Sequence, residues 1–212
     1  MSLSPSTAGV NASSGTVALA PREVTKNITA GGNDTGLNLT AADIAKVTAG
    51  RLDLGSLDGI NAAAASIALT GGLDLDAVSG ATTLGLFATG AVTQAAALTN
   101  VATLTGNAGS VTLGTAGNTV AKLGAFTTAN AFALVDGGPL DVTRAVRAGV
   151  ASPTGGTPNL LLQSAGLLQL DSAASLTGGS AGAARFGNAG NAVQNLGAFA
   201  AAAGYSLTAV AR

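Results

Sequence analysis

The chain has 212 residues, with nine Lys or Arg against ten Asp or Glu, and no His, Cys or Trp. That inventory excludes catalysis by His or Cys and any disulfide. The cations are scattered, with Arg144 and Arg147 the closest pair, so no nucleic-acid partner is expected: a phosphate-binding surface needs clustered Lys or Arg.

Charged residues are 9% of the chain and aromatics 3%, against about 25% charged in an average soluble protein. A core of large rings is therefore unavailable. Disorder is a poor reading too, because nearly half the residues are apolar and the net charge is -1. The apolar half is mostly Ala, Leu and Val, which suits an architecture of small, closely stacked side chains.

In chain order, residues 1–15 (MSLSPSTAGVNASSG) read as a flexible lead or an irregular first turn of the fold. Met1 is followed by SLSPS, with neither a basic nor an apolar leader segment, so an exported chain would be a mature piece or use another signal. Strand grammar starts at Thr16-Val-Ala-Leu-Ala20 and continues to the end, so residues 16–212 read as one domain. Short segments alternate apolar and small polar residues, as in Val111-Thr-Leu113, Leu140-Asp-Val-Thr143 and Leu167-Leu-Gln-Leu170. Between them stand turn formers: Gly31-Gly32-Asn33-Asp34, Asp58-Gly59, Gly71-Gly72, Gly117-Asn118 and Gly137-Gly138-Pro139. Asn61–Ser66 and Phe199–Ala203 are Ala-rich enough for a helical turn, but glycine interrupts nearly every longer helical window. No stretch is apolar for about 18 residues, so no transmembrane helix is expected.

Internal repeats are the strongest signal. Thr115–Phe126 matches Asn188–Phe199 at eight of twelve positions with a shift of 73, and the match continues as Phe132 against Tyr205 and Leu134 against Leu207. Leu52-Asp53-Leu54 recurs as Leu73-Asp74-Leu75, a shift of 21. Leu-Thr-Gly occurs at residues 69, 104 and 176. These spacings predict an all-β fold, a parallel β-solenoid (β-helix) with coils of roughly 18–24 residues. A membrane barrel would require aromatic girdles and longer strands, and a sandwich leaves the repeats unexplained. The solenoid reading places Leu54, Leu75, Leu113 and Leu170 in the interior.

Leu52–Leu75, Leu104–Phe126 and Leu160–Gly179 together resemble the repeat region of secreted bacterial filamentous-haemagglutinin-like adhesins and related β-strand-repeat exoproteins. The resemblance implies a right-handed parallel β-helix, exported and displayed on the bacterial cell surface. It implies an extracellular structural or adhesive element, not an enzyme, whose partners are copies of itself head to tail and cell-surface glycans or other surface proteins. The alternative is a polysaccharide-active or carbohydrate-binding β-helix protein.

Asp53, Asp74 and Asp76, with Arg51 near in sequence, form the one acidic cluster. Most simply they are solvated positions alternating with Leu52, Leu54, Leu73 and Leu75. If the 21-residue shift is one coil, Asp53 and Asp74 stack, and like charges side by side destabilise a sheet. A calcium ion would relieve that repulsion, since it takes several oxygen ligands. No other cofactor is expected. Asn11, Asn27, Asn33 and Asn38 open glycosylation sequons, but in a bacterial protein such residues are more often turn and ladder residues. Open sheet edges template further pairing. Val17 and Leu19 at one end, and Leu207 and Val210 at the other, are therefore the candidate assembly edges.

Overall fold

A computed structural model describes residues 9–32, 36–149 and 158–178, together with the strands Ala183–Phe186, Val193–Gln194, Ala198–Ala201 and Tyr205–Leu207. The fold is all-β, and every strand pairing among the described residues is parallel. Apart from the strands there are only a one-turn α-helix, Ala41–Ile44, and a 3-10 turn, Leu75–Ala77, among the described residues.

The strands stack in three rows. Row one runs through Thr16–Leu19, Arg51–Leu54 and the first parts of the long strands Thr83–Gln94, Val101–Leu113 and Val120–Thr128, then Leu140–Val142, Leu168–Leu170 and Val193–Gln194. Row two begins within the same long strands and continues through Ala145–Ala148, Ser175–Gly178 and Ala198–Ala201. Row three joins Leu37–Leu39, Ile28–Ala30, Ile67–Leu69, the ends of Thr83–Gln94 and Val101–Leu113, Phe132–Asp136, Pro158–Ser164, Ala183–Phe186 and Tyr205–Leu207. Val101–Leu113 passes through all three rows. Its register slips between Leu104 and Gly106, where Val120–Thr128 carries one extra residue, and between Ala108 and Ser110, where Thr83–Gln94 does.

Parallel register sets like residues beside like, and this builds the core. Val17, Leu52, Leu84, Leu104, Leu123, Val142 and Leu170 are successive partners in row one, and all are buried. Ile28, Ile67, Val92, Val111, Phe132 and Leu160 do the same in row three. Each such side chain contributes about 1.5–3 kcal/mol by leaving water. Phe126 and Phe132 meet edge to face inside, with ring centroids 5.0 Å apart. Leu54, Leu75, Leu113 and Leu170 are all interior, as expected.

The 73-residue repeat is structural. Phe132 reaches Tyr205, and Leu134 reaches Leu207, through three successive pairings in row three. Phe126 reaches Phe199 through three in row two. The 21-residue shift is not a pairing: Leu52 lies opposite Val17 and Leu84, whereas Leu73 lies opposite Leu98. The Leu-Thr-Gly copies fall in three different rows, at Leu69, Leu104 and Leu176.

Neither Ala-rich stretch is helical over its described residues. Ala62–Ala65 form an irregular connection and Ala198–Ala201 a strand. The helix that does form follows Thr40, whose hydroxyl accepts the Asp43 N–H at 3.1 Å while the Asp43 carboxylate accepts the Thr40 N–H at 3.0 Å. This helix follows Leu37–Leu39, which lies along the edge of Ile28–Ala30 opposite to Ile67–Leu69. In the region read as a lead, Val10–Asn11 pairs with Val47–Thr48, and Asn11 accepts the Ser13 N–H at 2.8 Å in a local turn.

Candidate functional site

Arg51–Leu54 alternates sides, so Leu52 and Leu54 enter the core and Arg51 and Asp53 face outward. Asp53 is nonetheless not solvated: its side chain is 2% exposed. The reason is the connection between Leu54 and Ile67, which folds back over the outer face. At Gly59 of that connection an added Cβ would stand 3.1 Å from Asp53 Oδ2 and 3.7 Å from Arg51 Nη2. Gly59 has φ +68°, a left-handed conformation natural to glycine.

Beneath this cover, Arg51 Nε donates to Asp53 Oδ1 at 2.8 Å and Nη2 donates to Thr105 Oγ1 at 3.3 Å. Gly85 lies between Asp53 and Thr105 in register, and a side chain there would collide with Asp53 Oδ1 and crowd Phe87. The glycine is what lets the pair lie flat on the strand. Burial pushes the Asp53 carboxyl above its ordinary range, and the neighbouring Arg51 opposes that rise.

The covering loop is held from within. Asp58 Oδ1 accepts the N–H groups of Ile60 at 2.9 Å and Asn61 at 2.7 Å and the Ser56 hydroxyl at 3.0 Å, while Oδ2 accepts Asn61 Nδ2 at 2.6 Å. Those donors hold the Asp58 carboxyl far below the usual range. So fixed, the loop presents Leu57 and Ile60, which are 74% and 69% exposed. Thr16, Arg51, Asp53, Leu57, Asp58 and Gly59 line a cavity of about 360 Å³.

Asp74 and Asp76 lie elsewhere, which corrects the expected stack. Asp53 is opposite Ala18 and Gly85, and Asp74 is opposite Thr99. Both Asp74 and Asp76 are exposed. Asp74 Oδ1 accepts the Asp76 N–H at 3.1 Å, starting the 3-10 turn, and Asn100 Nδ2 at 2.9 Å. The repulsion that a calcium ion would relieve between Asp53 and Asp74 does not arise. No group of three His, Cys, Asp or Glu is placed to hold a metal ion among the described residues. Of the assembly edges, Val17 is buried in the first strand of row one with Leu19 half-buried beside it. Leu207 is opposite Phe186, and Val210 lies outside the described residues.

A buried polar corner between rows three and one went unread in the sequence. Asn118, Asp136 and Ser164 are each at most 2% exposed. Asn118 accepts the Leu98 N–H at 2.9 Å and donates to the carbonyls of Val135 at 2.8 Å and Leu113 at 3.3 Å. Asp136 accepts Val120 N–H at 2.7 Å and Gly138 N–H at 2.9 Å, and the Ser164 hydroxyl donates to Gly138 O at 2.7 Å. Where the chain leaves one row for the next, these side chains replace the lost ladder bonds. Desolvation raises the Asp136 carboxyl above its ordinary range, against the pull of the two N–H donors. Comparison of the chain with models of known families, with curated proteins and with solved structures finds no match in any of the three.

Proposed function

We propose that the chain is a parallel β-solenoid exported to the bacterial cell surface, where it serves as a structural or adhesive rod and performs no catalytic step. The observation that carries this reading is the register: from Thr83–Gln94 onward three rows advance together, and residues 73 apart are three pairings apart in rows two and three. Stacked in that way, each winding of the chain contacts only its neighbours, and length is added without a new core. Small, uncharged outer residues suit a surface that touches other surfaces more than one that binds ions or nucleic acid.

Under this reading the partners are further copies of the chain, joined head to tail through strands such as Thr16–Leu19 and Tyr205–Leu207, and the glycans or proteins of neighbouring surfaces. A head-to-tail contact gives open fibres when the rotation does not close. Negative-stain electron microscopy of the purified chain tests the shape directly. Elongated particles that lengthen with concentration are expected, with windings about 4.8 Å apart along the long axis. Equant particles would refute the rod. Protease treatment of intact cells tests the location, and a chain cleaved only after lysis would refute surface display. A carbohydrate-binding role is the second reading, favoured by the cavity at Arg51 and Asp53.

A further inference from the structure

We infer that the cavity over Arg51–Asp53 is a binding site for a neutral polyhydroxylated ligand, a hexose unit of a surface glycan. The inference deepens the adhesive reading above and rests on it for its purpose. Asp53 is the reason. Its side chain is almost wholly enclosed, Oδ1 is occupied by Arg51 Nε, and Oδ2 has no hydrogen-bond partner among the described residues. Yet Asp53 is part of the lining of an open cavity of about 360 Å³, whose wall over Oδ2 is the backbone of Gly59, with no side chain added to it. Oδ2 is not fully buried and keeps access to that cavity, so a donor placed there completes its hydrogen bonding.

The chemistry of the lining selects the donor. An inorganic or carboxylate anion meets the carboxylates of Asp53 and Asp58. A cation meets the Arg51 guanidinium, already lying on Asp53. A sugar hydroxyl is uncharged and both donates and accepts. One hydroxyl of a vicinal pair donates to Asp53 Oδ2 while its neighbour accepts from a guanidinium N–H of Arg51, with Thr16 at the rim. Leu57, exposed and held in place by the Asp58 hydrogen bonds, offers an apolar wall for the C–H face of the ring. Sites of this kind combine apolar lining with a few fixed polar groups. Because the loop is braced before binding, little ordering cost is added.

The test is ligand-observed NMR on the full chain with D-mannose, D-galactose and L-fucose in turn, with lysine amide and sodium sulfate as charged probes. At least one sugar should bind with a dissociation constant on the order of 1 mM. Asp53→Asn should weaken it about tenfold by replacing the acceptor with a donor. Leu57→Ser and Thr16→Val, at exposed positions, should weaken it while leaving the melting temperature unchanged; they decide the matter if Asp53→Asn does not fold. Sugar binding that all three variants leave intact overturns this site but not glycan adhesion. Failure of every sugar to bind the unaltered chain overturns both, while the rod itself still stands or falls by microscopy. Binding of lysine amide or sulfate that Asp53→Asn abolishes, without sugar binding, also overturns the proposal.

Discussion

The ring of Phe126 occupies the space that a side chain on its register partner Gly106 would need. A Cβ built on Gly106 falls 2.7 Å from Phe126 Cζ and also meets the Leu86 carbonyl oxygen. In row two, therefore, one of the largest buried side chains is admitted by the absence of another. Gly106→Ala should destabilise the fold by about 1–3 kcal/mol through overpacking, and Phe126→Ala by about 3–5 kcal/mol through the cavity it leaves. The double variant Gly106→Ala, Phe126→Ala should lose less than the sum of its single changes, because the two residues contend for one volume. Thermal melts followed by circular dichroism would read all three; strict additivity would show that Phe126 does not press on Gly106.

Asn118 ties together three segments that are not adjacent in sequence, through Leu98 N–H, Leu113 O and Val135 O. Asn118→Leu keeps the approximate volume and strands those backbone groups, each costing about 1–3 kcal/mol when buried without a partner. A fall in melting temperature larger than that of the exposed Asn130→Leu is expected, with hydrogen exchange accelerating at Leu98. Unchanged exchange at that amide would remove Asn118 from its role at the corner.

Asp53 and Asp136 carry carboxyls raised above the ordinary value of 3.8 by burial. A raised value means that the folded state holds the proton more tightly than the unfolded one. The stability linked to these two groups is thus full below about pH 4 and is lost as the pH climbs through their folded values. Asp43, lowered chiefly by the Thr40 N–H, works the other way and loses its contribution as the pH falls below the ordinary value. Asp136→Asn cannot titrate and keeps one of two acceptors. The variant should be clearly less stable than the parent near pH 4, and the gap should narrow toward pH 7. Urea midpoints at the two pH values give the answer; a gap that widens would reverse the sign assigned to Asp136.

Thr40→Ala removes the acceptor for Asp43 N–H and the start of the helix Ala41–Ile44. A cost of about 1 kcal/mol is expected, with Thr40→Ser close to the parent. Since Leu37–Leu39 lies on the edge of Ile28–Ala30, the alanine variant should also exchange amide hydrogens faster at Gly31, whose N–H is held by Leu39 O at 2.8 Å. Equal exchange in the two variants would separate the helix from that edge.

The β class, the four interior leucines and the 73-residue repeat were legible because parallel stacking sets identical residue types beside one another. The 21-residue echo misled for a related reason. Leu-Asp-Leu is what any outward-charged strand looks like in a chain this rich in Leu, so its recurrence carries no register. Asp53 was correctly read as facing outward but wrongly as solvated, because nothing in Arg51–Leu54 announces that a loop from Ser56 to Asn61 will lie on it. The signal for the corner was in view: Asn118 and Asn191 share the repeated Ala-Gly-Asn, and an asparagine kept at one place in a degenerate repeat marks a fixed hydrogen-bonding duty. The one-turn helix was overlooked because Thr40-Ala-Ala-Asp43 is a start signal with no long amphipathic segment after it.

The separation between row-one partners is not constant: 35 residues from Val17 to Leu52, 32 from Leu52 to Leu84, then 20 to Leu104 and 19 to Leu123. The leucines line up regardless. Each doubling of a connection costs only about 0.6 kcal/mol in closure entropy, so the corners are where such a chain can change its length without retuning its interior. A corner of that kind can carry inserted sequence while the ladder beside it keeps its register, making the fold a natural scaffold for displaying variable peptides.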